Sequence, residues 1–298
     1  MATPEARERG VTAFVFAGGG SLGAIEVGML RALVEHGVRA DLVAGSSVGA
    51  INAAFYAGRP DIEGVRALEG VWHDVHRRDV FPVTVWRSLK VMLARRGSLA
   101  DPSPLRDLLE RSFAFRRLEE ATIPCVVVAT DLLSGEEVTL DSGSVTDALL
   151  ASAALPAVFP PVVVAGRSLA DGMLVSHTPI AAAVRRGASR VIVLPTGHGC
   201  AMTTPPADAV GSALHALNLI IGTQLAADAE RFTGRVDLVI VPPLCPLSVS
   251  SHDFSRTSEL IDRASEATRL WLKHGGLERS GIPVALRPHR HGHEREIA

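Results

Sequence analysis

Three short segments carry groups that could together break an ester. The first is Gly45-Ser46-Ser47-Val48-Gly49, which has the form G-x-S-x-G. An apolar run, Asp41–Ala44, precedes it, and Ala50, Ile51, Ala53 and Ala54 follow in a helical pattern. A strand turning sharply into a helix forces the middle serine into a strained conformation, and the flanking glycines make room for it. The Ser47 hydroxyl would then sit at a helix N-terminus, whose dipole stabilises a developing alkoxide. The pattern alone is weak, because a small-residue turn with a capping serine has the same composition. Ser46 suits that plainer role better than Ser47 does.

The second segment is Gly18-Gly19-Gly20-Ser21-Leu22-Gly23. It follows an apolar run and opens a helical one. Glycines there let backbone N–H groups point into a concave site and hold a phosphate or a tetrahedral oxyanion. Gly18, Gly20 and Gly23 also satisfy the dinucleotide fingerprint G-x-G-x-x-G, which wants an acidic residue at the end of the second strand. Asp41 is near the right distance but stands before its strand, and that strand ends in the serine turn. The oxyanion reading accounts for that adjacent turn and the dinucleotide reading does not. The third segment is Asp171-Gly172, whose carboxylate could accept the Ser47 proton. Taken alone, it reads as an ordinary Asp-Gly turn.

These segments need elements to position them. Val11–Ala17 reads as a buried strand. Ile25, Gly28, Met29, Ala32 and Leu33 share one helix face, closed by Gly37. The serine helix runs from Val48 to about Ala57. Pro124–Thr130 is a further buried strand, Ser134-Gly135 a turn, and Val138–Leu140 pairs back. Ser144 caps a helix reaching about Ala154, with Asp147 at its third position. Val162–Ala165 and Leu169-Ala170 flank Gly166-Arg167 as a tight hairpin. A helix from Ile180 to about Arg186 and a strand Arg190–Leu194 follow. Later elements are a helix Leu214–Ala227, a strand Val236–Val241 and an amphipathic helix Ser258–Lys273. The stretch Val71 to Phe115, with Trp72, Phe81, Trp86 and several basic residues, fits a cap, a membrane-facing surface or plain solvated helices.

The 298 residues are 47% hydrophobic and 21% charged, enough for a substantial core. A formal net charge of −2 supplies no basic field for nucleic acid. The cysteines Cys125, Cys200 and Cys245 show no metal or disulfide spacing. The first apolar stretch leads into glycines and not into a cleavage site, and no apolar run reaches spanning length. The expectation is a cytoplasmic protein, peripheral to a membrane at most.

In this chain order, the glycine loop, the serine elbow and the Asp-Gly pair resemble the patatin-like phospholipase family. The segment Ala151-Ser152-Ala153-Ala154-Leu155-Pro156-Ala157-Val158-Phe159-Pro160-Pro161 is similar to that family's proline-rich stretch before its aspartate. The likeness runs from about Val11 to Pro195. It implies a three-layer α/β/α fold around a mostly parallel sheet, with the site at the carboxyl ends of the strands carrying Gly18 and Gly45. It further implies a Ser47–Asp171 dyad and oxyanion N–H groups from Gly19 and Gly20, with Gly18 and Val48 as further donors. The expected reaction is hydrolysis of carboxylic ester bonds in lipids through an acyl-serine, with no metal or organic cofactor and no nucleic-acid partner. The expected hydrolase domain is 11–286, with a motif-bearing core over 11–195 and a completing portion over 200–286. Residues 1–10 and the Arg/His-rich 287–298 are expected to be mobile. Two departures stand out. Leu22 replaces the family's frequent Arg or Lys, removing a positive charge, and Met173 replaces a small residue and narrows the pocket.

Eleven histidines leave room for a triad. His177, His198 and His252 all follow Asp171, and His198, in a glycine loop after a strand, is the best rival base. An acyltransferase using Ser47 with a histidine, or a non-catalytic lipid or anion binder, would share parts of the pattern.

Overall fold

The computed structural model describes residues 10–80, 100–156, 158–197, 209–247, 249–279, 282–283 and 286; in 77–78, 209–218 and 222 the description extends to the backbone alone. The expected mobile ends, apart from Gly10, lie outside the described residues, as do Phe81 and Trp86.

Among the described residues, eight strands form one sheet: β1 (Val11–Phe16), β2 (Leu42–Ser46), β3 (Cys125–Asp131), β4 (Glu137–Leu140), β5 (Val162–Val164), β6 (Arg167–Asp171), β7 (Ala188–Leu194) and β8 (Asp237–Ile240). Their order is β5-β6-β3-β2-β1-β7-β8, with β4 paired to β3 off this path. The pairings among β3, β2, β1, β7 and β8 are parallel, while β4, β5 and β6 pair antiparallel. The helices are α1 (Gly23–Glu35), α2 (Val48–Gly58), α3 (Ile62–Asp74), α4 (Ser103–Ser112), α5 (Val145–Ser152), α6 (Ile180–Arg185), α7 (Ala209–Phe232) and α8 (Thr257–Lys273), with a single further turn at Arg77–Val80.

The parallel strands are apolar over most of their length because both of their faces are covered. Successive residues point to opposite faces. Phe14 and Phe16 of β1, Val127 of β3 and Ile192 and Leu194 of β7 join one core, beneath α1, α2, α3, α4, α5 and α8. Ala13, Val15, Val126, Val128, Val191 and Val193 join the other, beneath α6 and α7. The result is the expected three-layer α/β/α arrangement with a mostly parallel sheet.

Boundaries shift where capping decides them. A 3-10 turn over Gly20–Leu22 precedes α1, so the helix begins at Gly23. The Ser144 hydroxyl accepts from the Asp147 N–H at 3.2 Å, as its spacing predicts. The expected Leu214–Ala227 helix extends in both directions, over Ala209–Phe232. The β5–β6 hairpin turns at Ala165 and Gly166, with φ of 49° and 77°.

One register positions the site. Ser46, the last residue of β2, pairs with Val128 of β3, and Asp171, the last residue of β6, pairs with Ala129. The ends of a parallel and an antiparallel strand thus meet at consecutive residues of β3. A Cβ at Gly172 would overlap the Val128 carbonyl and lie 2.6 Å from Ser46 Oγ, so the two strand ends abut closely.

Helix α1 packs on α8 with its backbone nearly touching. A Cβ at Gly28 would overlap the Ile261 carbonyl oxygen and lie 2.9 Å from Ala264 Cβ. At Gly70, on the exposed side of α3, nothing lies within 4 Å. Gly28→Ala is therefore expected to lose about 1–3 kcal/mol in urea unfolding, despite the ~1 kcal/mol helix preference of alanine. Gly70→Ala is expected to gain roughly 0.5–1 kcal/mol. Equal effects at the two positions would contradict the close α1–α8 contact.

Candidate active site

The turn from β2 into α2 is too tight for side chains at its flanks. A Cβ at Gly45 would overlap the Gly49 carbonyl, and one at Gly49 would overlap the Ala17 carbonyl. Between them, Ser47 adopts φ 55° and ψ −129°, a region disfavoured for residues with a side chain. Ser46 is a buried strand residue and not the cap. Ser47 occupies the N-cap position, yet its hydroxyl makes no capping bond. It donates instead to Asp171 Oδ2 at 2.8 Å.

Both partners are held by their backbones. The Ser47 N–H donates to Ser152 Oγ at 2.8 Å, and that hydroxyl donates onward to the Val128 carbonyl at 2.6 Å. On the other side, the Asp171 N–H donates to the Ala154 carbonyl at 3.0 Å, and Thr130 Oγ1 donates to the Asp171 carbonyl at 2.7 Å. Asp171 Oδ1 accepts from the Met173 N–H at 2.9 Å. Ser152 and Thr130 carried no motif that singled them out for this work. Ser152 lies inside the proline-rich segment, which was legible only as a stretch of chain.

The Asp171 carboxyl is 2% exposed. Burial raises its pKa to about 7, against the opposing pull of the Met173 N–H and the Ser47 hydroxyl. The group therefore exchanges its proton near neutrality, where an ordinary carboxylate would be fully ionised.

The glycine loop faces this pair across a cavity of about 480 Å³ lined by Gly19, Gly20, Ser47, Val48 and Asp171. The Gly18 N–H donates to the His177 carbonyl at 3.0 Å, and the Gly18 carbonyl accepts from Thr196 Oγ1 at 2.6 Å. Gly18 thus anchors the loop, and its N–H is already engaged. Gly20 has φ +58°, and among the described residues no acceptor meets the Gly19 or Gly20 N–H. Beyond the polar end, the cavity walls are apolar and include Ile51, Phe55, Leu68, Trp72, Leu109 and Phe159. Leu22 is buried in the core and does not line the cavity, whereas Met173 does.

Among the described residues no histidine bonds Ser47. The buried His177 places Nδ1 3.3 Å from Thr178 Oγ1. His252 lines the cavity, with Nδ1 2.7 Å from Ser250 Oγ. His198 lies outside the described residues. Among the described residues no group of three or more His, Cys, Asp or Glu is placed to hold a metal ion, and no helix is long and apolar enough to cross a membrane.

A family model described as patatin-like phospholipase matches residues 14–184. An NTE family protein of Mycobacterium bovis is 32% identical over 170 residues, which is 57% of this chain and 44% of that protein. Patatin-like phospholipase domain-containing protein 7 of Mus musculus is 26% identical over 187 residues, 62% of this chain and 13% of that protein. The chain thus spans less than half the length of either relative. Among solved structures, VipD from Legionella pneumophila aligns with 89% of this chain and 67% of its own, at 15% identity and a TM-score of 0.45. The matched span contains the glycine loop, the serine turn and the aspartate, and by that match the chain belongs to the patatin-like phospholipase family.

Proposed function

We propose that the protein is a lipid acyl hydrolase that cleaves carboxylic esters through an acyl-serine intermediate. The observation that carries this reading is the 2.8 Å bond from Ser47 Oγ to Asp171 Oδ2, at one end of an apolar cavity. Asp171 takes the Ser47 proton as Oγ attacks the ester carbonyl. The resulting oxyanion is held by the Gly19 and Gly20 N–H groups and by Val48 at the start of α2. Protonated Asp171 then returns its proton to the leaving alkoxide. In the second half, Asp171 takes a proton from water, the hydroxide attacks the acyl-serine, and Ser47 leaves with the proton. A carboxylate is a weak base at its ordinary pKa, so a group raised to about 7 suits both roles. Gly18 serves by anchoring the loop.

The apolar walls suit a fatty acyl chain, and the relatives' family name agrees with a lipid ester. Leu132, Leu133 and Val163 are exposed beyond the carboxyl end of β3, and the Leu132 N–H donates to the carbonyl of Ser168, the strand partner of Val163. This apolar edge suits peripheral contact with a lipid surface.

Ser47→Ala and Asp171→Asn are each expected to lower hydrolysis of p-nitrophenyl esters and phospholipids by more than ~1,000-fold, while His198→Ala keeps most of it. A loss in His198→Ala as large as in Ser47→Ala would favour a histidine base. Because the base must be ionised, kcat/KM should fall about tenfold per pH unit below the Asp171 pKa of about 7 and level off above it. A level profile down to pH 5 would contradict the assignment. The same shift bears on stability. The folded state binds this proton more tightly than the unfolded chain, so Asp171 weakens the fold as pH rises from about 4, its unfolded value, towards 7. Asp171→Asn is therefore expected to melt higher than the parent at pH 8, with the gap closing towards pH 4.

A further inference from the structure

The segment carrying the oxyanion donors, Gly19 and Gly20, leads directly into residues 21–23, which are fastened at both ends to the cavity wall. At one end, the Ser21 N–H donates to the Ser251 carbonyl at 2.8 Å, and Ser21 Oγ donates to the Ser250 carbonyl at 3.0 Å. Ser251 and Phe254, from that same loop, line the cavity. At the other end, the Gly23 carbonyl accepts from Asn52 Nδ2 at 3.0 Å. Asn52 Nδ2 also donates to Glu26 Oε2 at 2.8 Å, and Asn52 Oδ1 accepts from the Trp72 indole N–H at 2.9 Å. The indole can only donate and the Gly23 carbonyl can only accept, which fixes the orientation of the amide.

This junction has little slack. Asn52 and Glu26 are 0% exposed. A Cβ at Gly23 would lie 2.9 Å from Val48 Cγ2 and 3.0 Å from the Trp72 ring. Trp72 lines the cavity and stacks on Phe254, with ring centroids 6.3 Å apart and planes 15° apart. Burial pushes the Glu26 carboxyl well above the usual carboxylate range, against the opposing hydrogen bond from Asn52. One aromatic pair thus spans the two anchor points of residues 21 and 23, and an acyl chain in the cavity would lie against it.

We propose that Asn52 is a positioning residue that couples occupancy of the acyl cavity to the placement of the Gly19 and Gly20 N–H groups. A chain packed on Trp72 and Phe254 holds residues 21–23 through Asn52 and Ser251, and with Gly18 held by His177 and Thr196 this fixes the Gly19–Gly20 segment between them. Binding energy from a remote part of the substrate then appears at the reacting carbonyl, as faster turnover and not only as tighter binding. Small displacements of such donors are enough to change rate strongly. The substrate class that follows is long-chain acyl esters. The inference rests on the acyl hydrolase reading above.

The test is a p-nitrophenyl ester series from acetyl to decanoyl, with kcat and KM measured separately on the full chain. In the parent protein, kcat is expected to rise ~10-fold along the series. In Asn52→Leu, which keeps the side-chain bulk and removes the bonds, kcat should stay within about twofold while KM still falls with chain length. A purely structural role would lower kcat on every ester alike and leave its rise intact. Trp72→Phe keeps an aromatic ring on the wall and removes the N–H donor with part of the ring surface, and it should flatten kcat in the same way. If Asn52→Leu does not fold, the Trp72→Phe series decides. A rise parallel to the parent's in the variant, or a level kcat in the parent, overturns the coupling. Absence of Ser47-dependent hydrolysis of any ester by the parent would instead overturn the hydrolase reading.

Discussion

A carboxylate withdrawn from water yet within hydrogen-bonding distance of a serine hydroxyl is unfavourable to build, because ionised oxygen loses its hydration on burial. Much of the structure at the carboxyl ends of β2 and β3 serves to hold that arrangement. Among the described residues, the Asp171 carboxylate oxygens meet only the Met173 N–H and the Ser47 hydroxyl. Its backbone is pinned on both sides, to Ala154 and to Thr130. Ser47 holds a positive-φ backbone conformation in which the Ser152 hydroxyl receives its N–H. The strain on one partner and the lost hydration of the other are both supported by hydrogen bonds of their backbones to the Ser152 and Thr130 hydroxyls and the Ala154 carbonyl. This is the common pattern of a functional site, in which local stability is given up for reactivity.

Strand direction makes the meeting possible. Had β6 run parallel to β3, its carboxyl end would have lain beside that of β2 and could not have faced it. The antiparallel pairing brings the last residue of β6 against the end of β2, on adjacent residues of β3. Gly45, Gly49 and Gly172 then let three backbones approach more closely than any side chain would allow. The glycine loop closes the third side, anchored at Gly18 by His177 and Thr196.

The residues legible in the sequence were those whose backbone demands are local. Gly20 needs a positive φ, Gly45 and Gly49 need space at a turn, and Asp171 precedes a glycine at a hairpin's end. The central parallel strands were legible because they are largely apolar on both faces, and Ser144 because its capping partner lies three residues on. Less legible were groups that act only through tertiary contact. Ser152, Thr130 and Thr196 are small polar residues within apolar or loop segments, and nothing local marks their partners. Glu26 and Asn52 offered a faint signal, since each is a polar residue in an otherwise apolar helical stretch, but its meaning required both helices in place. The engagement of the Gly18 N–H by His177 was likewise invisible, because it joins residues 159 positions apart in the chain.

The central claim is that the Asp171 carboxylate makes the Ser47 hydroxyl nucleophilic. Covalent labelling with an alkyl fluorophosphonate, followed by peptide mass spectrometry, tests it without depending on the natural substrate. The account predicts one adduct, on Ser47, formed readily by the parent protein at pH 8 and very slowly by Asp171→Asn. An adduct on a different residue, or labelling of Ser47 in Asp171→Asn at the parent's rate, would contradict it.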